Sequence, residues 1–82
     1  MDELTIGDLY ALSALRTEGF EPVRADQDGH RVAWVFRATP ELRAALSRFY
    51  GRTMQVDALS FAEAIRSAKG EAMNLRAVGA TG

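Results

Sequence analysis

Four residues near the middle of the chain, Arg43, Arg48, Tyr50 and Arg52, are of the types that grip anions or anchor interfaces. Guanidinium groups fork onto phosphate or carboxylate oxygens, and a tyrosine ring stacks on a base or fills a pocket. Their spacing predicts that Arg43 and Arg48 look outward from one helix while Arg52 follows its glycine stop. The result is a cationic patch with Tyr50 at its edge, diluted by Glu41. A second set, Arg24, Arg31, Ala33, Val35 and Arg37, falls on one face of two strand-like runs, because side chains alternate sides along a strand. Glu21 and the aspartates at positions 26 and 28 counter its charge. That outer face, and the strand edge beside it, is a candidate surface for a partner's strand or a second copy.

Residues that could carry catalysis do not converge. His30 is the single histidine and follows the Asp28-Gly29 dipeptide, where a surface turn is expected. None of Ser13, Ser47, Ser60 and Ser67 lies in a nucleophile-elbow context. The stretch "DQDG" at 26–29 resembles the opening of a calcium loop, but that spacing needs a carboxylate where Arg37 stands. Glycines at 7, 19, 29, 51 and 70 occur singly, with no phosphate loop or dinucleotide fingerprint. There is no cysteine. These features predict a protein that is not an enzyme and needs no metal or cofactor.

A chain of 82 residues has room for one domain, expected over 1–76 with a flexible tail at 77–82. Such a domain buries only about 60% of the surface its unfolded chain exposes, so docking on a partner or dimerising is a natural supplement. The content of 48% hydrophobic and 26% charged residues is that of an ordered globular protein. A net charge of −1 offers no general attraction to nucleic acid or to an anionic membrane. The acidic opening "MDELTIGDLY" lacks the long apolar run of a signal or membrane segment, and a cytoplasmic protein is expected.

The elements that must hold these residues follow from periodicity. Thr5 with Asp8 reads as a capping box for a helix at about 6–17, stopped by Gly19. Two extended runs at about 21–26 and 31–38 flank the Asp28-Gly29 turn, the first placed at a sheet edge by Pro22. Thr39, Pro40 and Gly51 punctuate a second helix. Met54 and Val56 alternate with polar residues as a short third strand, and a last helix capped by Asp57 or Ser60 is ended or interrupted at Gly70. The predicted fold is α+β: helix, hairpin, helix, short strand, helix, with the helices on one face of a small antiparallel sheet. Val32, Trp34 and Phe36 then point away from Arg31 and Arg37. A nucleic-acid platform needs its rings and cations on the same surface, so the aromatics are assigned to the core.

The strings "DLYALSALRTEGFEPV", "GHRVAWVF" before a proline-started helix, and "VDALSFAEAIRSAK" resemble a family of short uncharacterised bacterial and bacteriophage proteins, a domain of unknown function common on mobile elements. Asp8, Gly19, Phe20, Arg31, Val32, Trp34 and Phe36 carry the likeness, with Trp34 in the place of a phenylalanine, over about residues 5–70. The resemblance implies a small accessory protein and supplies no catalytic residues. The expected function is therefore docking on a partner protein, as an accessory or inhibitor-type protein and in one form as a homodimer. The alternative is a small nucleic-acid-binding module using Arg43, Arg48 and Arg52.

Overall fold

The computed structural model describes residues 2–81 of the chain. Six elements follow one another: β1 (Glu3–Ile6), α1 (Leu9–Thr17), β2 (Arg24–Asp28), β3 (Arg31–Arg37), α2 (Pro40–Tyr50) and α3 (Ala58–Thr81). The strands form one antiparallel sheet in the order β1-β3-β2, so the aromatic strand β3 lies in the middle.

The third strand is therefore not the expected one. Residues 3–6 read as the approach to a helix capped by Thr5, yet Leu4 and Ile6 alternate with Glu3 and Thr5 and suit a pleated edge equally well. Pairing decides the matter: Leu4 sits opposite Phe36 and Ile6 opposite Trp34. The chain leaves the sheet at Gly7, and Asp8 is the true N-cap of α1, its Oδ1 accepting from the N–H groups of Tyr10 at 2.9 Å and Ala11 at 3.3 Å. Met54 and Val56 belong to an irregular connection, because the chain reverses at the end of α2 and the Met54 N–H donates back to the Arg48 carbonyl. Both side chains are half-buried there.

The hairpin has a two-residue loop, Gly29-His30, between paired Asp28 and Arg31, one residue later than the Asp28-Gly29 turn the sequence suggests. Gly29 has a φ of 64°. A glycine in the first central position is what a type II′ turn requires. At the far end of β2 the Val23 N–H donates to the Val35 carbonyl at 2.7 Å.

All three helices serve one core. Trp34 and Phe36 are 2% and 1% exposed and meet Leu12 and Leu15 of α1, Leu42 and Ala45 of α2, and Ala68 and Ala72 of α3 in one buried cluster. The alanines keep the helices close where the large ring of Trp34 needs space. Asp57 caps α3, its Oδ2 accepting from the N–H and hydroxyl of Ser60, each at 2.9 Å. Gly70 neither ends nor interrupts α3, which continues through residues 77–81, the stretch set apart by sequence as a tail. At 24 residues it is about 36 Å long. Among the described residues no helix is long and apolar enough to cross a membrane.

Candidate functional site

The four residues of the helix patch separate into three environments. Arg43 and Tyr50 line one shallow groove of about 610 Å³ whose floor is Leu4 of β1 and Leu46 of α2. Arg48 points elsewhere and holds Glu18 beyond α1 in a two-pronged ion pair, with Nη2 at 2.7 Å and Nη1 at 3.2 Å from the two carboxylate oxygens. The hydrogen bonds from Arg48 hold the Glu18 carboxyl below its ordinary range against an opposing effect of desolvation. Arg52 lines a separate hollow with Phe49, Met54 and Phe61. One of the three cations needed for a phosphate-binding stripe is thus already matched to a carboxylate.

Tyr50 is 61% exposed, and its ring meets that of Phe49 edge-on with centroids 5.0 Å apart. Its hydroxyl donates to Asp8 Oδ2 at 3.5 Å, tying the end of α2 to the start of α1. Partial desolvation first, then the Asp8 charge, raise the Tyr50 hydroxyl above its ordinary 10.0. The turn beyond it is closed by two bonds, Arg52 N–H to the Phe49 carbonyl at 3.1 Å and Thr53 N–H to the Arg48 carbonyl at 2.9 Å. This is a Schellman ending in which Arg52, with a φ of 63°, takes the left-handed place a glycine usually fills. Gly51 was expected in that role but keeps a φ of −79°; a Cβ there would lie 2.9 Å from the Ser47 carbonyl oxygen.

On the outer sheet face Arg31 and Arg37 are exposed and Ala33 is half-buried, but Val35 is only 2% exposed. The cover is Arg24. From β2 it crosses β3 to Glu3 on β1, with Nη1 and Nη2 each 3.0 Å from a carboxylate oxygen, and its Nε lies 3.3 Å from Asp26. The hydrogen bonds from Arg24 lower the Glu3 carboxyl below its ordinary range. The face expected to offer Val35 to a partner presents a charged lattice over it instead.

One arrangement has no counterpart in the sequence reading. Arg16 of α1 forks onto Glu71 of α3, with Nη2 3.0 Å from Oε1 and Nη1 on Oε2, while Trp34 Nε1 donates to Oε1 at 3.4 Å. The Arg16 hydrogen bonds hold the Glu71 carboxyl low despite its partial burial. The Arg16 side chain is 16% exposed, and its Nε lies buried without a hydrogen bond, 3.7 Å from Glu21. The two partners stand 55 positions apart, beyond the reach of any local pattern. Among the described residues there is no group of three or more histidine and acidic side chains able to hold a metal ion.

Residues 1–74 match the family model described as "Domain of unknown function (DUF5659)". No curated protein and no solved structure matches the chain.

Proposed function

The chain belongs to the DUF5659 family, and we propose that this member is a small non-enzymatic docking protein of phage or mobile-element origin that acts in the cytoplasm on a partner protein. The observation that carries this reading is the groove of α2: an exposed tyrosine and an arginine stand over a floor of two leucines. Tyrosine and arginine are among the side chains most enriched where interfaces concentrate their binding energy, and an apolar floor lets them be desolvated on contact. The Phe49 ring and the Asp8 carboxylate fix the Tyr50 ring in advance, which lowers the entropy lost on docking. Inhibition of a host enzyme is one use of such a surface.

The test is capture by the immobilised wild-type chain compared with Tyr50→Ala, Arg43→Glu and the distant control Lys69→Ala, alongside sedimentation equilibrium for self-association. A discrete partner retained by wild type and by Lys69→Ala, and lost by the two groove variants, is the expected result. An inert monomer, or identical retention by all four proteins, would overturn the reading.

A further inference from the structure

The outer edge of β1 carries no partner strand. The order β1-β3-β2 leaves it at the margin of the sheet, and on its inner edge the Asp2 carbonyl accepts from the Ala38 N–H at 3.0 Å. Backbone groups alternate sides along a strand, so those of Leu4 and Ile6 also face β3, while those of Glu3, Thr5 and Gly7 face outward. All three outward residues are exposed, and their backbone groups make no hydrogen bond on that side among the described residues.

Beside this edge runs α2. It begins at Pro40, just past the bond between Ala38 and Asp2, and ends at Tyr50, whose hydroxyl meets Asp8, so it follows β1 in the same direction. The groove between the two, floored by Leu4 and Leu46, therefore has an open strand edge along one side. No carboxylate lines it, and Arg43 takes part in no ion pair among the described residues. A cation without a counter-ion thus stands toward the Asp2 end of the groove, and the exposed ring of Tyr50 toward the Gly7 end.

We infer that the groove takes an extended segment of a partner protein, added to β1 as a fourth strand, in which an apolar side chain is followed two residues later by an acidic one. This rests on the docking reading of the same groove and names what docks there. A row of outward N–H and C=O groups is matched by another extended backbone. In an antiparallel segment, one residue opposite Thr5 returns both of its bonds. The residues on either side of it lie opposite Ile6 and Leu4, and paired residues share a face, so both turn their side chains toward α2. They stand about 7 Å apart along the strand. The first, at the Ile6 end, meets Leu46 and Tyr50 and must be apolar; the second, at the Leu4 end, comes under Arg43 and must be acidic. A second copy pairing about Thr5 fits less well. It would set Asp2 against Asp8, like charges face to face, and would offer Leu4 only Ile6, which is already buried in its own core.

The experiment titrates the full chain with three probes while backbone amide shifts are recorded: acetyl-Thr-Leu-Thr-Glu-Thr-amide, the same peptide N-methylated at its central threonine, and the same peptide with glutamine for glutamate. The expected result is saturable change at Thr5 and Leu46 with the first, and binding weaker by about tenfold or more for the methylated peptide, which cannot donate to the Thr5 carbonyl. The glutamine peptide should bind about threefold or more weaker, since a charge-assisted contact is lost, and Arg43→Gln, at an exposed helix position, should erase that difference. Equal binding of the first two probes, changes centred away from β1, or no change with any would overturn the inference. If a cellular partner is still lost by Tyr50→Ala in that case, the groove remains a docking surface and only the added strand is refuted. Thr5 shifts that follow protein concentration without peptide would give the edge to a second copy and overturn the inference as well.

Discussion

Arg24 on β2 and Glu3 on β1 join hands across β3, and Val35 lies beneath them with 2% of its surface exposed. The two outer strands are thus tied to each other as well as to the middle one. An exposed ion pair adds little by its charge. Its carbon stem, laid over an apolar side chain, is the larger contribution. Arg24→Met, which keeps the stem, is expected to retain most of the wild-type melting temperature, while Arg24→Ala lowers it. Thermal denaturation followed by circular dichroism distinguishes them, and equal losses would mean that the charge matters more than the cover.

Glu71 satisfies two donors at once, the Arg16 guanidinium and the Trp34 indole. Glu71→Ala leaves a mostly buried cation with only the 3.7 Å contact to the exposed Glu21 and is expected to cost about 1–3 kcal/mol in urea unfolding. Replacing both partners, Arg16→Met with Glu71→Met, should recover much of that loss, because a matched apolar pair leaves no charge stranded. A double variant as unstable as Glu71→Ala would contradict this account.

The same carboxylates set the acid limit of the fold. Hydrogen bonds from arginines hold Glu3, Glu18 and Glu71 below their ordinary 4.5. A carboxyl whose folded pKa is depressed stabilises the fold above its unfolded value, and that contribution is lost as pH falls through the folded value. The urea midpoint should therefore be level near neutrality and decline below about pH 4.5. Glu71→Gln is expected to start lower and fall less steeply.

Arg52 occupies the left-handed position at the end of α2. Arg52→Gly relieves that backbone and should stabilise the protein by about 0.5–1 kcal/mol, net of the entropy glycine adds to the unfolded chain. Gly51→Ala should act in the opposite direction, since its new methyl meets the Ser47 carbonyl oxygen. Chemical denaturation of the two single variants checks both signs.

Trp34 is the single tryptophan and is almost wholly enclosed. Its emission is expected to be blue-shifted and unmoved by single- or double-stranded oligonucleotides at low salt. A red-shifted emission quenched by nucleic acid would require the aromatic face to be open.

What could be read in the sequence was what is decided locally. The start of α2 is one case: Thr39 Oγ1 accepts the Leu42 N–H at 3.1 Å and Pro40 opens the helix, as the residue types demand. The burial of Trp34 and Phe36 followed from strand alternation alone. β1 could not be read that way, because Thr5 three residues before Asp8 imitates a helix cap and the partner strand lies some thirty residues on. Glu18 could not be assigned to Arg48, nor Glu3 to Arg24, for the same reason: they stand 30 and 21 positions apart. The candidate helix patch was therefore recognised by type but not by grouping, and its leucine floor, half supplied by β1, went unseen.

The place of β1 makes four residues near the chain's start a guard against self-association. With them in position, β3 is paired with β1 over residues 34–37 and with β2 over residues 31–35. Trimming them as if they were a dispensable leader would leave "VAWVF", an apolar, β-branched and aromatic run without a charge, as a bare edge. A run of that kind is a template for cross-β growth. The first strand thus helps to keep the protein in solution as well as to complete its sheet.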